Sequence, residues 1–422
     1  MLGIPVKRLL YIAHRLPYPP DKGERVRAFE QIKALSARFD VTLAALVHRA
    51  GAFELARPLE RYCRKLLLAR AGGGLGLLRG GFRLLCGGCV TEGYFHSRAM
   101  RRLLAAEHRS SPFDLVFAYC SSTIPLARAV DAPARVIDLV DVDSAKWAAY
   151  ADEARWPKSW VFRREAQGVG RLEQRAIETF DRVLLVSEAE ADALCRAGGR
   201  GRRALGVPNG VDSDYFSAEA VRADDGGPPS LVFTGTMDYR PNVDGVCWFV
   251  REVWPDLKRD VPELRFVIVG RDPAKAVEQL ARQPGIVVTG TVDDVRPYLA
   301  AARAVVVPLR IARGIQNKLL QAMAMGKAVI ASPAALEGLD VDVGTDALEA
   351  DTPGEWRRCI TKLLGDGASR SSLGRAARDR VVAKYNWSAR LRPLVELCER
   401  LAGSPSEPRE AKQAAVGEGA GA

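Results

Sequence analysis

No apolar run in this chain approaches the roughly 20 residues that a membrane-crossing helix requires, so no spanning segment is expected. The opening, MLGIPVKRLLYIAHRLPYP, holds only a short apolar run, ended by a His and an Arg, with no small-residue cleavage site behind it. It reads as a first β-strand and not as a secretory signal. Both absences predict a cytoplasmic chain, one that touches a membrane only from that side. The 8 cysteines are scattered. Cys86 and Cys89 form a lone C-x-x-C with no second pair and no histidine cluster at ligand spacing, which argues against zinc and for reduced thiols. A G-x-G-x-x-G fingerprint is missing after the first apolar run, and the glycines at 72, 73, 74 and 76 do not complete one, so a dinucleotide site is not expected. Aromatic residues make up only 7%, and no helix-turn-helix, zinc-finger or stacking-platform motif accompanies the surplus of 62 Lys+Arg over 51 Asp+Glu. That net +11 is spread along the chain. Nucleic acid is therefore not an expected partner, whereas anionic lipid or anionic metabolites suit such a surface.

What is present is alternation. With 422 residues, 48% of them apolar, the chain is long enough for two or three cored domains. KRLLYIAH (7–14) reads as a strand, followed by a Pro-rich loop closed by Gly23 and a helix over 24–38. VTLAALV (41–47), LVFAYC (115–120), RVIDLVD (135–141) and RVLLVS (182–187) are further strands, giving at least five strand-helix units. GVPNGVDSDYF (206–216) is turn-rich, with Asn209-Gly210 as its tight turn, and ADDGGPPS (223–230) has almost no apolar content. The pattern restarts with LVFTGT (231–236), a helix through VCWFVREVW, LRFVIVG (264–270), GIVVTGTV (285–292) and a strand at 304–309. These boundaries predict a first domain over 1–205, a linker over 206–228, a second domain over 229–384 and a helix over 385–402 that crosses back to the first. The remainder, 403–422, lacks the apolar content to fold and is expected to be disordered.

Two stretches stand out. Between 61 and 102, Arg, Leu and Gly are enriched together, as in CRKLLLARAGGGLGLLRGGFRLLCGGC. A basic and apolar stretch of this kind suits an anionic membrane surface, and equally an irregular loop with a buried helix. The second stretch, 305–332, reads VVVPLRIARGIQNKLLQAMAMGKAVIAS. Its order is strand, basic loop, a helix opened by Asn317 and stopped by Gly326, then strand, the repeating unit of a parallel sheet covered by helices. In such sheets ligands sit beyond the carboxyl ends of the strands, where free helix N–H groups favour anions. Arg310, Arg313, Asn317, Lys318 and Gln321 fall on or just after that junction. A phosphate-bearing ligand is the expectation.

The segments VPNGVDSDYF, LVFTGTMDYRPNVDGV, LRFVIVG, GTVDDVRPYLAAARAVVVPLR and GIQNKLLQAMAMGKAVIAS together resemble the family 4 retaining glycosyltransferases of the GT-B fold. Within that family, IAHRLPYPPDKGERVR and VIDLVDVDSAKWAAYA resemble the sugar transferases found with bacterial exopolysaccharide gene clusters. The resemblance implies an α/β protein of two doubly wound, Rossmann-like domains facing a central cleft. The first would bind a glycan or polyprenyl-diphosphate-linked acceptor, the second a nucleotide diphosphate-sugar donor, with neither metal nor cofactor.

Carried over by position, the family's two signature acids, seven residues apart, are replaced here by Arg313 and Gln321. Gln321 keeps an acceptor oxygen for the nucleotide ribose, without the added strength of a charge-assisted bond. Arg313, beside Gly314, reverses the charge at the donor-sugar position. The family's diphosphate clamp falls on Arg240, with Asn242 and Asn317 near it and Lys318 as the second cation. Lys318 would stabilise the negative charge that builds on the leaving phosphate. Asp141 and Asp143 spell a D-x-D motif, read as a strand end and not as a metal site. The histidine that the family often carries in the first domain is absent from AYCSSTIP and VDVDSAKW, which leaves Asp141 and Asp143 as candidate proton acceptors. A helix-capping role for Asp143 or Ser144 is the alternative. In the first strand-helix loop, Gly23 would allow close approach of the sugar, and Lys22 and Arg25 would meet an anionic acceptor. Two other functions fit the same fold: a degenerate nucleotide-binding protein, and a nucleotide-sugar epimerase.

Overall fold

The computed structural model describes residues 6–20, 23–48, 51–198, 203–221, 227–312 and 315–403. Among these, everything up to Pro208, together with Leu391 onward, forms one compact unit, and Asn209–Arg390 forms a second. Each is built on one sheet, and every recorded strand pairing is parallel.

The first sheet contains β1 (Arg8–Ala13), β2 (Asp40–Val47), β3 (Lys65–Arg70), β4 (Leu115–Tyr119), β5 (Ala134–Val140), β6 (Arg182–Leu185) and β7 (Ala204–Gly206). They lie in the order β3-β2-β1-β4-β5-β6-β7. Central strands such as β1 and β4 are apolar along nearly their whole length because helices cover both faces. The second sheet contains β8 (Ser230–Thr234), β9 (Arg265–Val269), β10 (Ile286–Val288), β11 (Ala304–Val307), β12 (Val329–Ala331) and β13 (Leu348–Glu349), in the order β10-β9-β8-β11-β12-β13. Strand order reverses between β1 and β4 in one unit and between β8 and β11 in the other. Those reversals are where a doubly wound sheet opens a crevice at its carboxyl edge.

Several expectations need correction. β3 was not expected within 61–102; it is an edge strand whose alternate residues alone are buried, so KLLLAR lacks the continuous apolar signature of its neighbours. β7 and β13 span only three and two residues, too short for any periodicity. The strand expected over 285–292 ends at Val288. Asn209-Gly210 does not form a tight turn. Gly210 is instead needed for close approach: a Cβ there would sit 2.8 Å from the backbone of Trp387. The stretch expected as a linker over 206–228 contributes Val211 to the core of the second unit, with Phe216 packed against that core. The final helix, Trp387–Gly403, straddles the division, with Leu391 onward belonging to the first unit.

The helix that follows β11, Asn317–Ala324, buries Leu319, Leu320, Ala322, Met323 and Ala324. Gly326, at φ 65°, ends it. Its N–H donates to the carbonyl of Met323 at 2.9 Å, and Lys327 N–H donates to Ala322 at 3.1 Å, the paired bonds of a Schellman cap. Helix Gly367–Lys384 presses on this turn through Gly374, where a Cβ would collide with the Gly326 carbonyl oxygen. The substitution Gly374→Ala should therefore destabilise the second unit by about 1–3 kcal/mol of overpacking. Thermal unfolding followed by circular dichroism should show a Tm lower by several degrees; an unchanged Tm would mean that the turn yields freely.

Candidate functional site

In the second unit, β8 runs through Gly235 and Thr236 toward helix Arg240–Glu252, and β11 runs through a loop to helix Asn317–Ala324. The two strands are neighbours, so both helix starts lie at one edge of the sheet. Lys318 reaches back over this edge. Its ammonium donates to Asn242 Oδ1 and lies 4.5 Å from the centroid of Phe233. Asn242 is 4% exposed. Its Nδ2 donates to the carbonyl of Thr236 at 2.8 Å, which turns its oxygen toward the lysine.

Burial pushes the Lys318 ammonium down to about 7. Among the described residues no carboxylate stands within ion-pair distance of it. The charge is thus held without a neutralising partner, an arrangement that favours an incoming anion.

Backbone shape supports that use. A Cβ on Gly235 would come within 2.7 Å of Asn242 Nδ2 and 3.3 Å of Lys318 Nζ. One on Gly270, which follows β9, would collide with the Gly235 carbonyl oxygen. Only glycine fits at Gly270, and a side chain at Gly235 would displace the Asn242 amide. The hydroxyl of Thr234, at the end of β8, is buried with no hydrogen-bond partner. Helix Asn317–Ala324 starts with Gln316 at its N-cap and no side-chain cap. Asn317 is exposed at its first turn, and Gln321 lies half-buried three residues after Lys318, on the same helical face. Arg240 is exposed at the start of its own helix. The structure thus brings Asn242 and Lys318 into contact and sets Asn317 and Gln321 on the same helix as Lys318. Arg313 and Gly314 lie outside the described residues, as does Lys22.

In the first unit, a buried polar chain ties helix Gly23–Ser36 to the sheet. Arg27 Nε donates to Asp138 Oδ2 at 2.7 Å, and Gln31 Nε2 donates to the same oxygen at 2.5 Å. Tyr11 OH donates to Gln31 at 2.8 Å. The other oxygen of Asp138 accepts from Val140 N–H at 2.9 Å. Tyr119 OH donates to the Glu24 carbonyl at 2.7 Å.

Beside this chain stands His14, one residue beyond β1 and 8% exposed. Its Nε2 lies 3.8 Å from the Glu24 carboxylate, while its Nδ1 is buried with no partner. The neighbouring imidazole of His14 holds the Glu24 carboxyl down to about 2, with Arg15 and Arg25 contributing. His14 stacks on Tyr119 and meets Phe95 edge-on. It lies outside AYCSSTIP and VDVDSAKW, the segments at β4 and β5 where the resemblance puts a histidine. Its position straight after the first strand, in IAHRLP, was the available signal.

Other expectations shift as well. A Cβ on Gly23 would meet nothing within 4 Å, so the protein's own packing does not require glycine there. Asp143 is engaged: it accepts from Ser121 Oγ at 3.3 Å and pairs with Lys146 at 2.5 Å, which weakens it as a base. Asp141 is exposed; the protein packed around it, with Glu190 and Asp143 nearby, raises its carboxyl above the ordinary range. Neither Asp143 nor Ser144 caps helix Asp143–Glu153. Glu190 accepts from Val142 N–H at 3.1 Å and Glu173 from Ser144 N–H at 3.0 Å, so carboxylates remote in sequence do the capping. Burial lifts the Glu173 carboxyl to about 7.

Residues 228–366 match the family model of glycosyl transferases group 1. An uncharacterized glycosyltransferase of Methanocaldococcus jannaschii, MJ1069, is 30% identical over 185 residues, 40% of this chain and 45% of that protein. The chain therefore spans less than half the length of that curated relative. Among solved structures, sucrose-phosphate synthase of Thermosynechococcus elongatus aligns with a TM-score of 0.64 at 17% identity, over 94% of this chain and 99% of that one. Anabaena HepE, solved with UDP, aligns with a TM-score of 0.61 at 14% identity, over 93% and 100%. The fold is thus that of the GT-B glycosyltransferases, two parallel-sheet Rossmann-like domains. Lys318, Asn242 and Gly235 all fall inside the segment that the family model matches.

The Arg27–Asp138 pair yields a test of the first unit. Asp138→Ala would leave the arginine buried without its carboxylate, a loss of about 3–5 kcal/mol. Denaturant titration should show this, and the double variant Arg27→Met/Asp138→Leu should recover a good part of it. Equal losses in both would show that the charge pair is not what the packing depends on.

Proposed function

We propose that this chain is a glycosyltransferase that moves a sugar from a nucleotide diphosphate-sugar to a hydroxyl of a glycan or lipid-linked glycan, with retention. The observation that carries this reading is the unneutralised Lys318 ammonium, held by Asn242 and Phe233 at the β8/β11 edge. This is where a diphosphate is received in a doubly wound sheet. In the reaction, negative charge collects on the phosphate oxygen as the sugar departs. Lys318, already desolvated and oriented, stabilises that charge with little rearrangement. Asn242 sets the direction of the ammonium. Arg240 and Asn317 add donors at the two helix starts, and Gln321 receives the ribose hydroxyls. Gly235 leaves room for Asn242 and Lys318 to stand at the strand end, which keeps the ammonium placed for the diphosphate.

We assign the acceptor to the first unit. His14, with Glu24 beside it, joins Asp141 as a candidate to take the proton of the acceptor hydroxyl. Asp143, paired to Lys146, serves better to orient. The chemistry we propose uses protein cations in place of a metal. Its setting is synthesis of bacterial exopolysaccharide, on the cytoplasmic face of the membrane. Gln321 in place of an acid favours one second reading, a protein that binds nucleotide without turnover.

Calorimetric titration with UDP, GDP, ADP and NAD, each with and without magnesium, tests the donor site. Micromolar binding of a nucleoside diphosphate without metal is expected; binding of NAD alone would overturn the reading. With a competent sugar donor, Lys318→Ala should lower turnover about a hundredfold, the scale of losing one charge stabiliser at the transition state. Binding without any turnover in the wild-type chain would select the second reading. Gln321→Glu should tighten nucleotide binding, and unchanged affinity would remove Gln321 from the ribose.

The lowered Lys318 value gives a pH dependence of definite sign. The ligand takes the charged lysine, whose share in the free protein falls as pH rises through about 7. Nucleoside diphosphate affinity should therefore fall between pH 7 and 9, by up to about tenfold per unit. Lys318→Arg, charged throughout, should bind with a nearly flat profile over that range. A flat profile in the wild-type chain would mean that Lys318 does not face the phosphates.

A further inference from the structure

The stretch between β3 and β4 folds into helices Gly73–Leu85, Val90–Tyr94 and Arg98–Ser110. The first of these is amphipathic in an inverted sense. At about 100° per residue, Gly76, Gly80 and Leu84 share one arc, and all three are buried. Leu75, Leu78, Phe82 and Leu85 share the opposite arc, and they are 66%, 73%, 67% and 72% exposed. The glycine arc is already committed. A Cβ on Gly80 would come within 2.8 Å of Val90, and one on Gly93 within 2.6 Å of the Arg79 carbonyl oxygen. Backbone packs on backbone there, so the helix has no room to roll its large side chains inward.

Charge completes the pattern. Arg79 and Arg83 lie on one flank of the exposed apolar arc, while Arg98 and Arg101 open the next long helix. A small recess is lined by Arg83, His96, Ser97 and Arg101 together with Glu92, whose carboxylate lies 3.7 Å from Arg83. All four arginines stand close enough to His96 to add to the burial that lowers its imidazole below the usual range.

We infer that helix Gly73–Leu85 is a membrane-docking element, which sinks Leu75, Leu78, Phe82 and Leu85 into the surface of an anionic bilayer while the arginines meet its phosphate headgroups. Large apolar side chains against the acyl boundary, with arginines at headgroup level, are what an interfacial helix needs. A second copy of the chain is the poorer occupant. A two-fold interface sets each patch against itself, and would bring like-charged arginines together. The docking element deepens the proposed function, in that a lipid-linked acceptor would be carried by the same membrane, but it does not depend on the donor site.

Co-sedimentation of the full chain with vesicles tests the inference. Binding to vesicles of phosphatidylglycerol and phosphatidylcholine, with at least tenfold weaker binding to phosphatidylcholine alone, is expected. Leu78→Ser/Phe82→Ser should lower partition at least tenfold, and Arg83→Ala/Arg101→Ala should remove the preference for anionic lipid. All four positions are on the surface; unchanged circular dichroism would confirm that the variants fold. Unchanged nucleotide binding by Leu78→Ser/Phe82→Ser would separate this surface from the donor site. Absence of vesicle binding by the wild-type chain overturns the inference, as does a concentration-dependent dimer that the same apolar substitutions abolish.

Discussion

The half-buried, desolvated ammonium of Lys318 sets the terms for the second unit. A lysine desolvated to this degree is unfavourable when charged unless something meets its ammonium. Here a fixed amide oxygen and an aromatic face meet it in part, and no carboxylate among the described residues completes the job. The surrounding backbone is shaped by the same constraint. Gly235 leaves space for Asn242 and the lysine, Gly270 leaves space for Gly235, and the Schellman cap at Gly326 holds the far end of the lysine's helix against a second helix. The sheet supplies the edge, and the glycines bring the backbone close to it.

The first unit solves a different problem with similar means. Its helix after β1 carries Arg27 and Gln31 inward, where Asp138 accepts from both. Burying a charge pair gains little net stability, yet it fixes orientation, since only one register of helix on strand satisfies all of its bonds. That register places Glu24 against His14 at the carboxyl edge of the sheet. The polar chain thus links β1, β4 and β5 to one helix. Farther along, the glycine-faced pair of helices leaves an apolar ridge outside, flanked by arginines. One unit therefore joins a polar strand-end cluster to a surface with interfacial character.

The strand-helix alternation was readable because central parallel strands are apolar on both faces, and helices between them repeat with another period. Reading failed at β3, β7 and β13, where an edge position or a length of two or three residues removes that signature. Within the candidate site, the place of Lys318 and Gln321 at a strand-helix junction was legible in the sequence, and Asn242 was marked only by the resemblance. His14 stands at an equivalent junction after β1, away from the strands to which the resemblance points. Arg27 and Asp138 each look like an ordinary charged residue in their own segments. They are 111 positions apart. Nothing local marks such a pair.

The sequence by itself determined the class of fold, the restart of the pattern near residue 230 and the loop-helix junction that carries Lys318. These follow from periodicity and from the chemistry of strand ends, which are local properties. Tertiary structure alone decided which charges are buried, which carboxylates cap which helices, and which face of helix Gly73–Leu85 turns outward. The outward face is the clearest case. Gly-Leu-Leu-Arg-Gly-Gly-Phe has apolar residues on several sides, and only the backbone contact through Gly80 and Gly93 selects the side that packs. Burial and desolvation depend on what the rest of the chain brings alongside, and that is a property of three dimensions.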